Sequence, residues 1–142
     1  MISFTNPSID NVEAGATFAT KVPAGLSVRI AEHVAQLHEN RRFQDFDFGP
    51  DENMARYGNY TPPVFDVSLI SGIPIALFFA GRDDQVSPTD DQWLVAELED
   101  VMVSSIAYSN YSHFDFYIAE NSEVFLEDVV DLLSEYNNGE LV

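Results

Sequence analysis

The residues of this chain best suited to chemistry are an aspartate at position 83 and a histidine 30 residues later, at position 113. Asp83 follows a short apolar run, and His113 follows the next one along the chain. An aspartate that accepts the Nδ1–H of an imidazole fixes its tautomer and stabilises the imidazolium. The imidazole can then act as general base and afterwards as general acid near neutral pH. We therefore predict that Asp83 and His113 are two members of a hydrolase triad.

The nucleophile of such a triad is not evident in the sequence. In α/β-hydrolases it sits in a Gly-x-Ser-x-Gly elbow that precedes the acid and the histidine, and that pattern occurs nowhere in the 142 residues. Ser27 and Ser71 lack the flanking glycines and the strand-turn-helix setting, and the chain has no cysteine. We expect the nucleophile to lie outside this chain, and the chain alone to be inactive.

Other acidic residues offer weaker sites. Asp84 is an alternative for the acid of the triad, and we expect Asp115 to support the histidine or to cap a local turn. Asp83 and Asp84 together at a strand end also resemble the Mg²⁺-binding acids of a phosphoacceptor signalling domain. Such domains need a lysine late in the chain, and the only lysine here is Lys21. A signalling domain is therefore disfavoured.

A metal site is poorly supported. The run from Asp45 to Asn53 alternates oxygen-bearing residues like a calcium loop, but an EF-hand needs glycine at the sixth and glutamate at the twelfth position. Those positions hold Pro50 and Arg56, which indicates a solvated acidic turn. His33 and His38 are five residues apart, so they do not share a helix face as a ligand pair would. We expect no metal and no cofactor.

Composition limits the class of protein. The length of 142 residues predicts one domain, and the net charge of −18, from 24 acids and 6 basic residues, is unfavourable for phosphate binding, which needs clustered cations. Nucleic acid and anionic membranes are therefore disfavoured as partners on electrostatic grounds. No apolar run approaches the roughly 20 residues of a membrane span, and the first residues do not read as a signal peptide.

The elements that must position the two residues read as a β-α-β unit. Residues of about 73–79 and 102–108 form short apolar runs typical of parallel strands buried between helices. Ser87, Pro88 and Asp90 between them predict a helix start with a capping box. In such a sheet, functional residues gather at the carboxyl ends of the strands. Two parallel strands cannot cover themselves, so we expect a sheet completed by further chain or by another molecule.

Two more helices are indicated by apolar periodicity. The first carries one face made of Leu26, Ile30, Val34 and Leu37. The second runs over about 121–136, and residues 51–72 between the first helix and the strands are expected to be mainly loop. The buried stripe of this second helix, about 121–136, is expected to consist of Val124, Phe125, Val129, Leu132, Leu133 and Tyr136.

The chain resembles the C-terminal part of the acid lipases, the family of lysosomal acid lipase and gastric lipase, from about Thr20 to Leu133. Seven landmarks in the same order carry the resemblance. They are Pro23-Ala24-Gly25-x-Ser27, Phe43-Gln44-x-Phe46-Asp47-Phe48-Gly49, Tyr57-Gly58-x-x-x-Pro62-Pro63, Ile73-Pro74-Ile75-Ala76, Gly81-x-Asp83, Pro88-x-Asp90 and His113-Phe114-Asp115-Phe116.

The resemblance implies an α/β-hydrolase fold in which Asp83 is the catalytic acid and His113 the base. Residues 1–23 would be the end of a cap-like region, and residues 24–142 the C-terminal part of the hydrolase domain. The substrates implied are neutral lipid esters, such as triacylglycerols or steryl esters, in a lysosomal or secreted protein. This sequence departs from the family where Ala80 replaces a glycine, and where Asp84, Gln85 and Val86 replace a hydrophobic loop.

A second class of function is compatible with the same ancestry. The chain would then be a catalytically inactive module that acts through protein interaction. Its open sheet edge would be covered by a missing N-terminal half or by a second copy of the chain. Molecular size in solution separates this hypothesis from a self-sufficient monomer.

Overall fold

The structure of the chain is a computed structural model, which describes residues 5–22 and 24–141. Its regular elements over the described ranges are helices and two parallel strands, with three helices before the first strand and two after the second. They are α1 (Val12–Ala19), α2 (Val28–Asn40), α3 (Pro50–Tyr57), β1 (Ile75–Ala80), α4 (Pro88–Glu97), β2 (Met102–Tyr108), α5 (Asp115–Ile118) and α6 (Ser122–Asn137), with short 3₁₀ turns at Val67–Leu69 and Glu99–Val101.

The predicted β-α-β unit is confirmed. Strands β1 and β2 pair in parallel with α4 between them along the chain, and their last residues, Ala80 and Tyr108, are partners in the register. Strand β1 begins at Ile75, two residues later than the predicted start at about residue 73. Pro74 has no N–H group and so cannot donate a hydrogen bond to the neighbouring strand. Among the described residues the sheet has these two strands, which makes the fold a partial α/β fold.

The start of α4 follows the predicted capping chemistry. The Asp90 N–H donates to Ser87 Oγ at 3.2 Å, and the Ser87 N–H donates to the Asp90 carboxylate at 3.3 Å. Pro88 occupies the first turn, where its missing N–H costs nothing. This cap fixes the point at which the loop after β1 turns back into the crossover helix.

The chain divides into two compact units. The first comprises the described parts of residues 1–23 and 70–142. Its core is formed by Ala80, Tyr111 and Ala119. Around them the rings of Tyr108, Phe116 and Phe125 meet edge to face, with centroids 5.0–6.1 Å apart. This aromatic packing includes the last residue of β2, Tyr108, and lies against a core that contains the last residue of β1, Ala80. The assignment of residues 1–23 to a cap-like region and 24–142 to a hydrolase domain stays a prediction.

The second unit, residues 24–69, contains more helix than expected. Pro50–Tyr57 forms helix α3, where the sequence predicted mainly loop. The buried Asn53 side chain holds this region together: it accepts from the Phe48 N–H at 2.9 Å and donates to Asp47 Oδ1 at 2.7 Å and to the Tyr60 carbonyl at 3.1 Å. Asp47, which lies in the calcium-loop-like run from Asp45 to Asn53, is thus engaged in a turn.

The expected apolar face of α2 is only partly buried. Leu26, Ile30 and Val34 remain more than half exposed, and Leu37 is half-buried. The α6 stripe behaves similarly, because Phe125, Val129 and Leu132 are half-buried whereas three of its other predicted members are exposed. The periodic pattern correctly reports which side chains share a helix face, but it does not report whether another element covers that face.

Candidate active site

The two loops that carry Asp83 and His113 are joined through their backbones. The Gly81 N–H donates to the Tyr108 carbonyl at 2.9 Å, and the Arg82 N–H donates to the Tyr111 carbonyl at 2.8 Å. A Cβ atom at Gly81 would lie 2.9 Å from the Ser109 Cα. Glycine is therefore required at position 81, because only it lets the loop after β1 run this close to the loop after β2.

Asp83 is held in a tight turn after β1. Its backbone N–H donates to the Ala80 carbonyl at 3.1 Å. Its Oδ1 accepts the N–H groups of Gln85 at 2.7 Å and Val86 at 3.2 Å, so its other oxygen, Oδ2, faces the neighbouring loop. The carboxylate is oriented by its own backbone, which reduces the entropy lost when it binds a partner.

That partner is His113. The distance from His113 Nδ1 to Asp83 Oδ2 is 2.9 Å, with 34% of the histidine and 10% of the aspartate side chain exposed. Burial raises the pKa of Asp83, but the hydrogen bonds from His113, Gln85 and Val86 outweigh it, and the net pKa is lowered. An ionised Asp83 only accepts hydrogen bonds, so Nδ1 must carry the proton. The other ring nitrogen, Nε2, is then the one able to take up a proton.

The loop that carries His113 is packed against the core. Tyr111 is buried, stacks on Tyr108 with centroids 4.9 Å apart, and donates its hydroxyl hydrogen to the Asn121 carbonyl at 2.8 Å. The His113 ring meets Phe114 edge to face at 4.9 Å. The buried Asp115 accepts the Ser112 N–H at 2.6 Å, so it supports the backbone immediately before the histidine.

A mainly apolar cavity of about 530 Å³ opens beside the pair. Successive side chains of a strand point to opposite faces, so a cavity lined by four consecutive β1 residues runs along the edge of that strand. Its lining consists of Leu77, Phe78, Phe79, Ala80, Asp83, Val86, Asp91, Leu94, His113, Phe116, Tyr117 and Phe125.

Asp91 is a second carboxylate on this cavity, and sequence reasoning missed it. Burial raises the pKa of Asp91, and the negative charges of Asp83 and Asp90 raise it further. The capping box offered a signal for it, because a helix that begins at Pro88 places residue 91 on the same face as Ser87, next to the loop that carries Asp83.

The structure therefore brings together the two residues selected from the sequence, and it joins His113 to Asp83 rather than to Asp84. Their catalytic roles stay a prediction. Within residues 5–22 and 24–141, no group of three or more histidine or acidic side chains is arranged to hold a metal ion. No helix in the same described ranges is long and apolar enough to cross a membrane.

Parallel strands joined by a crossover helix, with an aspartate and a histidine hydrogen-bonded at their carboxyl ends, define a partial α/β fold of the hydrolase class. No family model matches the chain. Comparison with curated proteins nevertheless finds lipases: the chain is 34% identical over 116 residues to gastric triacylglycerol lipase from Rattus norvegicus, a match that covers 80% of this chain and 29% of the relative.

Two further relatives agree. Lipase member K from Mus musculus is 28% identical over 137 residues, 94% of this chain and 34% of that protein. Tear acid lipase-like protein from Mesocricetus auratus is 29% identical over 113 residues, 79% of this chain and 28% of that protein. The chain belongs to the acid lipase-like family, and it spans only about a third of the length of the relatives it matches.

Proposed function

We propose that this chain supplies the acid and the base of a lipid ester hydrolase, with Asp83 as acid and His113 as base, and that the nucleophilic serine comes from a part of the protein outside these 142 residues. The observation that carries the proposal is the 2.9 Å hydrogen bond between His113 Nδ1 and Asp83 Oδ2 at the mouth of an apolar cavity. The names of the relatives, which are lipases, support the same class of reaction.

The reaction follows from this geometry. Nε2 of His113 takes the hydroxyl proton of the serine as its oxygen attacks the ester carbonyl, and Asp83 stabilises the imidazolium. The imidazolium then gives that proton to the departing alcohol, which leaves an acyl-serine. In the second half of the reaction, His113 takes a proton from a water molecule that attacks the acyl-serine. It then gives that proton to the serine oxygen as the fatty acid is released. The donors that stabilise the oxyanion are supplied from outside this chain.

The substrate we propose is a neutral lipid ester, such as a triacylglycerol or a steryl ester. The cavity beside the pair has mostly aliphatic and aromatic walls, which suits acyl chains. The net charge of −18 disfavours binding of anionic lipids or nucleic acid. We further propose a lysosomal or secreted location, in keeping with relatives named as gastric and tear acid lipases.

A chimeric enzyme tests the role of His113. In it, this chain replaces the matching segment of gastric triacylglycerol lipase from Rattus norvegicus, and hydrolysis of a triacylglycerol emulsion is measured. We expect His113→Ala to lower kcat by about 10²–10⁴-fold, because general base catalysis is lost. His38→Ala, on the exposed side of α2, is the matched control and leaves kcat unchanged. A His113→Ala chimera with the parent kcat would show that the assignment is wrong.

The same chimera separates the two candidate acids. Asp83→Asn replaces the ionised acceptor of the imidazole Nδ1–H with an amide, so we expect it to lower kcat by about 10⁴-fold at most. Asp84→Asn leaves the pair intact and should change kcat by less than about threefold, within the scatter of surface substitutions. The reverse order of the two effects would move the acid to Asp84.

The alternative, an inactive module that acts by protein interaction, is favoured by the exposed apolar side chains of α2 and α6. It predicts a chimera that folds but does not hydrolyse lipid esters, with or without His113. It also predicts that this chain associates with a partner or with itself through those faces.

A further inference from the structure

A buried polar network lies behind the loop that carries His113. Its centre is Asp115, whose side chain is completely buried, with 0% exposed. Its carboxylate accepts the Ser112 N–H at 2.6 Å and the Asn6 N–H at 3.2 Å and 3.1 Å from its two oxygens. A buried carboxylate is costly unless it is hydrogen-bonded. These backbone donors make it tolerable and fix the two segments to each other.

Asn6 makes a second link to the same loop. It is only 4% exposed, and its Nδ2 donates to the Asn110 carbonyl at 2.8 Å. Its Oδ1 accepts from the Ser8 N–H at 3.3 Å and the Ser8 hydroxyl at 2.7 Å, so the side chain has partners on both of its polar atoms. The segment around Asn6 therefore holds the histidine loop at residue 110 directly and at residue 112 through Asp115.

The segment is itself fixed to α5. The Asn11 N–H donates to the Ile118 carbonyl at 2.8 Å, and the Glu120 N–H donates to the Ile9 carbonyl at 2.7 Å. Asp10 and Ala119 form an antiparallel bridge between the same two stretches. The histidine loop is thus held by a part of the chain about 105 residues away in sequence.

We propose that Asp115 and Asn6 are positioning residues for His113: they hold the loop so that Nδ1 stays within hydrogen-bond distance of Asp83. The proposal rests on the proposed function, in which His113 is the base. Ser112 precedes His113 directly, so release of its N–H would let the imidazole move. Displacement of a catalytic group by 1 Å can cost about 10²-fold in rate.

The distinguishing experiment is imidazole ¹⁵N NMR of the full chain, followed over a pH titration whose alkaline limit gives the neutral ring. His113→Gln assigns its signals among the three histidines. The proposal predicts a His113 in the Nδ1–H tautomer in the unsubstituted chain. In Asp115→Asn and in Asn6→Ala, we expect its ¹⁵N shifts to move toward the tautomer mixture of free imidazole.

Each variant removes a defined link. Both N–H donors reach Oδ2, and only the Asn6 N–H also reaches Oδ1, so an asparagine at 115 that keeps its oxygen at the Oδ2 position would turn its NH₂ group toward the Asn6 N–H. Asn6→Ala removes the bond to Asn110 but leaves the carboxylate and its backbone donors in place. Asp131→Asn is the matched control: Asp131 is an exposed carboxylate on α6, and its change leaves the His113 shifts unaltered.

Wild-type tautomer shifts at His113 in a folded Asn6→Ala chain and a folded Asp115→Asn chain would overturn the proposal and leave the network a purely structural role. If Asp115→Asn does not fold, Asn6→Ala decides the question alone. In the chimera, both variants are expected to lower kcat by about tenfold to hundredfold with little change in KM. The NMR result requires no hydrolysis, so failure of the proposed function, seen as an active His113→Ala chimera, is distinguishable from failure of the positioning role.

Discussion

The carboxylates of Asp83 and Asp91 line the same cavity, but their pKa values shift in opposite directions. Hydrogen bonds from His113 and two backbone N–H groups outweigh burial at Asp83 and lower its pKa. Its contribution to stability is therefore complete above the unfolded pKa of about 3.9 and is lost as pH falls through the lower folded value. The local environment thus keeps Asp83 ionised in moderately acidic solution, as its proposed role requires.

Asp91 makes the opposite contribution, which Asp91→Asn can test. Burial, and then the charges of Asp83 and Asp90, raise the pKa of Asp91. Its ionised form thus opposes folding above the raised folded pKa, and this penalty disappears as pH falls below the unfolded value. We expect Asp91→Asn to raise the free energy of unfolding at pH 7 by at most about 1 kcal/mol, and to have no effect below about pH 3.9.

Urea denaturation across that pH range measures the Asp91 effect. Asp131→Asn, an exposed position on α6, serves as the control for a simple reduction of the net negative charge. Equal stabilisation by both substitutions would mean that the whole-protein charge, rather than the environment of the cavity, is responsible. A stabilisation by Asp91→Asn that persisted at the lowest pH would contradict the ionisation argument.

Among the elements, the ends of β1 and β2 depend on one close backbone approach, at Gly81. A Cβ there would lie 2.9 Å from the Ser109 Cα and 3.3 Å from its carbonyl carbon and oxygen, which are backbone atoms that cannot rotate away. We expect Gly81→Ala to lower the free energy of unfolding by about 1–3 kcal/mol. It should also weaken the Asp83–His113 hydrogen bond, because the two loops would have to separate.

Gly15→Ala is the matched control for Gly81→Ala. Gly15 lies inside α1, and a Cβ there meets no atom within 4 Å. Alanine has the higher helix propensity, so we expect this change to stabilise the chain by about 0.5–1 kcal/mol. Chemical denaturation measures both variants. A Gly81→Ala chain as stable as the parent would show that the loops can move apart without cost.

The sequence predicted the elements with local signals and missed those held by distant contacts. The strands and the start of α4 follow from an apolar run, a proline and a capping box, all within a few residues. Helix α3 is eight residues long and ends at Gly58, close to Pro62 and Pro63, so its local signals do not distinguish it from the loop that the sequence predicts there. The link from Asn6 to Asp115 spans 109 residues and has no local signature.

The sequence predicted the pairing of Asp83 with His113 but not the side chains and helix faces that surround it. The pairing of Asp83 with His113 follows from two strand ends that must share one edge of a parallel sheet. Asp91 was not selected, because its position on the cavity depends on how α4 packs rather than on its neighbours in sequence. The exposed faces of α2 and α6 could not be anticipated, since apolar periodicity does not specify what lies opposite.

At the scale of the whole molecule, exposed apolar side chains favour self-association of the chain, whereas its net negative charge opposes it. Leu26, Ile30 and Val34 are each more than half exposed, and burial of such side chains against another surface is favourable. The net charge of −18 repels a second copy of the chain at neutral pH. Screening decides the balance: the Debye length falls from about 30 Å at 0.01 M salt to about 3 Å at 1 M.

We therefore expect the isolated chain to be monomeric at low salt and neutral pH, and to self-associate when salt is raised or when pH approaches the isoelectric point near 4.1. Sedimentation velocity measures the change in mass. The double change Ile30→Gln and Val34→Gln should reduce the association by removing part of the apolar α2 face, whereas Val12→Gln, at an exposed valine on α1, should not. A chain that stays monomeric in 1 M salt would show that these apolar faces do not associate with each other. These faces would then be available to a partner of different sequence, as expected if the proposed hydrolase contains more protein than this chain.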